Sequence, residues 1–149
     1  MSTDMHKPRT AYWHLWADEQ GVSHQNRCEL SHFEQQSMSG AAPQWNDVQA
    51  RGDATVIFAV LPVGWVGDWH PNPKPQWIVP LSGRWWVESM DGQRVEMGPG
   101  EVSLGEDLNC RKDDQGRIGH RSGTVGDEPA RLMIVQLHVE PVGAPCHLR

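Results

Sequence analysis

Ring-bearing side chains other than tryptophan are scarce in this sequence, with 2 Phe and 1 Tyr among 149 residues against 8 Trp. Aromatic bulk for a core, a ligand pocket or a subunit interface must therefore come largely from indole rings. Long apolar runs are missing as well. No stretch approaches the roughly 20 residues needed to span a bilayer as a helix, so no membrane partner is expected. There is no basic excess: 13 Lys and Arg stand against 19 Asp and Glu, for a net charge of -6. That balance lacks the electrostatic footprint of a nucleic-acid binder. Charge runs are short and mixed, as in Arg111-Lys112-Asp113-Asp114, which reads as a solvated loop.

Cysteine is sparse too. Cys28, Cys110 and Cys146 are an odd count without CxxC spacing, and point to neither a disulfide framework nor a zinc knuckle. Cys110 has only Arg111 and Lys112 nearby to lower its pKa and is not read as a nucleophile. Residues 1–10 are polar and carry no apolar signal region. A reducing cytoplasm is the compartment these features predict. Nucleophile-elbow, P-loop and dinucleotide-binding motifs do not occur.

Helix windows are few, because 11 Pro and 15 Gly interrupt the chain. Short strand signals are many: 11–16, 23–30, 54–61, 77–81, 84–90, 94–97, 102–104, 118–122 and 132–139. Asp91-Gly92 between two of them is a hairpin signal, and Ser82-Gly83 and Gly98-Pro99-Gly100 are further turns. The polar stretches 37–53 and 109–117 read as connections. Many short strands with turn chemistry between them predict an all-β sandwich or barrel. With no composition shift, the chain reads as one domain over 1–149, with 1–10 and 142–149 as flexible tails.

From Gly67 to Val139 the chain resembles the cupin superfamily in the order and spacing of two motifs. The first is Asp68-Trp69-His70-Pro71-Asn72-Pro73-Lys74-Pro75-Gln76, closed by Gly83. His70 matches the family's first motif histidine, Asn72 stands where the second would be, and Gln76 stands in place of the glutamate. The second motif begins at Pro99-Gly100-Glu101 and ends at Gly119-His120. Glu106-Asp107 and the Asp18 to His24 segment are similar to features of a small bacterial subgroup. The resemblance implies a jelly-roll β-barrel (a double-stranded β-helix) with an interior pocket built on His70, Gln76 and His120.

Those three residues are the expected metal ligands, and the implied cofactor is a divalent ion: Fe, Mn, Ni or Zn. Two neutral amides replace a histidine and a carboxylate, so affinity should be lower than in the standard site. Asn72, Trp69 and Trp77 are the expected pocket residues. Glu106 and His24 are candidate catalytic groups, since a carboxylate in an apolar pocket can serve as a general acid or base. Alternation along a strand allows only one of Glu106 and Asp107 to face inward. Asp107 reads as a turn residue, and Gln136 and His138 as a solvent-side pair. The expected function is a metal-dependent oxygenase, isomerase or lyase acting on a small organic acid or aromatic metabolite. The alternative is a non-catalytic metabolite-binding barrel without metal. A homodimer is expected in either case.

Overall fold

The two-residue alternation of side chains along the central strands places two different apolar sets on the two faces of one sheet. The computed structural model describes residues 7–148. Its strands are β1 (Thr10–Ala17), β2 (Ser23–Leu30), β3 (Glu34–Gln36), β4 (Gln44–Asn46), β5 (Ala54–Leu61), β6 (Gln76–Ser82), β7 (Arg84–Ser89), β8 (Arg94–Met97), β9 (Val102–Glu106), β10 (His120–Val125) and β11 (Ala130–Leu137). The all-β expectation holds, and each of the nine expected strands has a counterpart. The stretch 37–53 departs from its reading as plain connection, because β4 lies in it and pairs with β3 as a small hairpin.

Six strands form one sheet in the order β2-β1-β9-β6-β11-β5, and β10-β7-β8 form a second. Of the six-stranded pairings only β1–β9 is parallel. Isolated bridges from Val66 to Gly123 and from His70 to His120 lay the segment 66–70 alongside β10. Neither sheet closes on itself into a barrel. Leu15, Ile78 and Leu132 from the larger sheet meet Trp85, Val87, Val95 and Met97 from the smaller one. Each such buried side chain contributes about 1.5–3 kcal/mol of burial free energy.

The opposite, outer face of the larger sheet carries Tyr12, Cys28, Leu104 and Trp77, and it is covered as well. Cys146 and Leu148 from the C-terminal segment pack on it. Cys28 and Cys146 form a disulfide with a Cα–Cα distance of 5.3 Å. Two expectations are corrected here. The cysteines do include a bridge, which spacing alone could not reveal because its ends are 118 residues apart. The segment 142–148 is not a loose tail but a docked strap. At the other end, Thr10 already opens β1, and residues 1–6 lie outside those described. Strand β5 forms a sheet edge and leaves Val56, Phe58 and Val60 exposed.

Candidate functional site: two histidine–carboxylate clusters

Glu106 and Asp107 are neighbours in sequence at the end of β9 and turn to opposite faces of the sheet, each meeting histidine. Asp107 turns inward and is fully buried. Its Oδ2 accepts the Nδ1–H of His120 at 2.7 Å, and its Oδ1 accepts both the backbone N–H and the Nδ2–H of Asn72 at 2.8 Å. Burial pushes the Asp107 carboxyl up. The charge and hydrogen bond of His120, with the two donors of Asn72, outweigh burial and hold it below the usual carboxylate range.

The amides behind Asp107 form a directional relay. Gln136 Nε2 donates to Gln76 Oε1 at 3.0 Å, and Gln76 Nε2 donates to Asn72 Oδ1 at 2.6 Å. Because an ionised carboxylate only accepts, Asp107 fixes which way every amide upstream must point. Gly105 makes room for this relay, since a Cβ there would come within 2.4 Å of the Asn72 amide nitrogen. His70 is exposed beside His120. Its backbone bridges that of His120, its Nδ1 donates to the carbonyl of Asp68 at 2.7 Å, and the two imidazole centroids are 4.7 Å apart. Gly119 permits this approach: its φ is +75°, and a Cβ would stand 2.3 Å from the His70 carbonyl oxygen.

Of the expected metal set, His70 and His120 therefore come together. Gln76 is buried on the same interior side but reaches His120 only through Asn72 and Asp107, with both its amide ends engaged. Each histidine has Nδ1–H tied to an oxygen, so that in the neutral ring Nε2 carries the lone pair and is the ligating atom, the arrangement typical of metal-bound imidazoles. Two ring nitrogens would supply two of the roughly four to six ligands a first-row metal takes, and the Gln76 amide adds no unengaged end.

Glu106 turns outward, so it does not join the His70–His120 pair. Its Oε1 accepts the Nε2–H of His14 at 3.0 Å and that of His147, and its Oε2 accepts the backbone N–H of Val142 at 3.2 Å. Burial raises the Glu106 carboxyl, but the His14 and His147 hydrogen bonds, the His147 charge and the Val142 N–H outweigh it and lower it. Nitrogen and oxygen atoms of His14, Glu106 and His147 lie within 4.8 Å of one another, a spacing a metal could bridge. The hydrogen bonding argues otherwise. The N–H of Cys146 donates to His14 Nδ1 at 3.1 Å, so the proton of neutral His14 sits on Nε2, the atom a metal would need. This cluster is a clasp for the C-terminal strap.

Other candidates lie elsewhere. His24 bridges Asp18 at 2.7 Å and Asp91 at 3.0 Å and stacks on Trp16, on the outer side. Trp69 packs beside Ala17, Met90 and Cys110, with Arg117 and Arg121 over its ring. Trp77 lies on the outer face against Tyr12. Cys110 is held as a thiol: burial and the Asp107 charge push it up to about 12. Gln136 was expected at the solvent and instead shares the inward face with Leu132 and Ile134. His14 and His147 had no motif to mark them. Alternation on β1 was the available signal for His14, which faces opposite to Leu15.

No family model matches the chain, and no curated protein matches it. Among solved structures, the crystal structure of protein NMB1881 from Neisseria meningitidis is similar over 61% of this chain and 80% of its own, at 15% identity and a TM-score of 0.41. A likeness at that level carries no argument about fold or activity. No helix among the described residues is long and apolar enough to cross a membrane.

Proposed function

We propose that this chain is a cupin-type protein whose site, at the His70–His120 end, holds a divalent metal and acts on a small organic acid or aromatic metabolite. The jelly-roll reading is supported by the run β5-β11-β6-β9 in one sheet, which faces 66–70, β10, β7 and β8 in the other. One observation carries the metal reading: the Nδ1 atoms of both histidines are tied to oxygens, which turns two Nε2 lone pairs into ligands on adjacent rings. An ion held by His70 and His120 would supply Lewis-acid polarisation. Asp107 is the positioning residue, fixing the tautomer and angle of His120.

Titration calorimetry with Mn, Fe(II), Ni and Zn tests the reading. The parent protein should bind at least one ion, His120→Ala should lose it, and Asp107→Asn should weaken it about 10- to 100-fold. No uptake by the parent, or equal uptake by His120→Ala, overturns it. The metal-free binding barrel would then be the better reading; the engaged amide of Gln76 already favours it in part.

A homodimer is part of the proposal, supported by the exposed apolar side chains of edge strand β5. A monomer mass by sedimentation overturns it. The Cys28–Cys146 bridge supports an oxidising compartment over the reducing one expected from unpaired cysteines.

A further inference from the structure

On the opposite side of the larger sheet from the His70–His120 pair lies a cavity of about 270 Å³. Trp77, Leu104 and Leu137 line it from the strands, and Val142, His147 and Leu148 from the C-terminal strap. The walls are mainly apolar and the volume suits a single-ring molecule. Glu106 lines the same cavity. Its Oε1 is filled by two imidazole donors, whereas Oε2 takes only the Val142 N–H and keeps a lone pair. Arg51 and Glu140, both exposed, are oppositely charged lining groups, and His147, which also lines the cavity, is spent on the other oxygen of Glu106.

We propose that this cavity is a second binding site, for a small uncharged ring carrying one O–H or N–H donor, the phenol class. The ring lies among Trp77 and its apolar neighbours, and the donor meets Glu106 Oε2. One whole wall is the strap, and the strap is held by the Cys28–Cys146 bond, by the N–H of Cys146 on His14 and by the His147 and Val142 hydrogen bonds to Glu106, of which only the first is covalent. Binding is therefore gated by redox state. Two electrons and two protons from a dithiol, which leaves as its own cyclic disulfide, convert the bridge to two thiols and leave the wall held by hydrogen bonds and packing alone.

Calorimetric titration of the oxidised protein with phenol, anisole and benzoate tests the site. Phenol should bind at least tenfold more tightly than anisole, which has the ring but no donor. Benzoate, whose carboxylate has only acceptor oxygens to set against Glu106 Oε2, should bind more weakly than phenol. In Glu106→Gln the preference for phenol over anisole should shrink toward none. Val142→Trp, a change at an exposed position whose backbone N–H is kept, should fill the cavity and exclude phenol even if the Glu106 variant fails to fold. Equal binding of phenol and anisole, or undiminished phenol binding by Val142→Trp, overturns the site.

Reduction with dithiothreitol should weaken phenol binding at least tenfold. Amide exchange of Val142 and Cys146 should quicken by a similar factor while β6 and β9 stay protected. Unchanged affinity on reduction, or loss of protection in β6 and β9 as well, overturns the gate. Neither result bears on metal uptake at His70 and His120.

Discussion

The two histidine–carboxylate clusters begin at adjacent residues and differ in which way a proton points. At Asp107, His120 donates through Nδ1 and keeps a lone pair on Nε2. At Glu106, His14 accepts at Nδ1 from the Cys146 amide and spends Nε2 on the carboxylate. The same residue types thus leave a ring-nitrogen lone pair in the neutral His120 on one face and engage both ring nitrogens of His14 on the other. Proximity of ligating atoms does not tell them apart; the hydrogen bond on the far ring nitrogen does.

That contrast can be broken at its most buried point. Asp107→Ala strips the acceptor from His120 and Asn72 at a fully enclosed position, and should cost about 3–5 kcal/mol in denaturant unfolding. Glu106→Gln should cost less, about 1–2 kcal/mol, because the disulfide still holds the strap when the clasp is weakened. Equal losses would show the clasp to be as central as the interior pair.

Gln76→Glu should cost about 1–3 kcal/mol, since the new carboxylate would face Asn72 Oδ1, acceptor against acceptor. Asn72 cannot turn to relieve this without aiming its oxygen at Asp107. A stability gain would mean the relay is not polarised by Asp107.

Acid should act on both clusters. The Glu106 and Asp107 carboxyls lie below their ordinary values of 4.5 and 3.8 in the folded chain. Their contribution is therefore complete above those values and is lost as pH falls through the lower, folded ones. Unfolding curves should be flat in this respect from neutrality down to about pH 5 and fall steeply beneath pH 4. Asp107→Asn should remove part of that fall. The smallest effect belongs to His70→Ala, at an exposed position, which should change stability by less than about 0.5 kcal/mol while abolishing metal uptake.

Much of the fold was legible because strand and turn chemistry is local. Ser23–Leu30, Ala54–Leu61 and Arg94–Met97 have the expected bounds, and the Asp91-Gly92 turn joins β7 to β8 with Gly92 at φ +88°. Gln76 and His120 each open a strand, His70 bridges His120, and Asn72 links Gln76 to Asp107, so these four residues lie toward one end of the facing sheets. What was not legible depends on contacts between distant segments. The outward set Met133, Val135 and Leu137 reads as core, yet Leu137 borders the cavity that the strap helps to close. Gln136 therefore faces inward against the rule that polar means solvent. Cys146 and His147, in a stretch with no strand pattern, gain their roles only when the strap meets β1, β2 and β9.

The bridge between Cys28 and Cys146 also changes how the chain would bear tension. Pulled from its ends, the oxidised protein can pay out only the segments outside the loop, β1 and most of β2 among them. The 118-residue span between the bridged cysteines, which holds both facing sheets' remaining strands, stays shielded from the load. A reduced molecule releases that span as a further extension of about 400 Å, at roughly 3.3–3.6 Å per residue. In a force spectrometer the two redox forms would differ by that single hidden length.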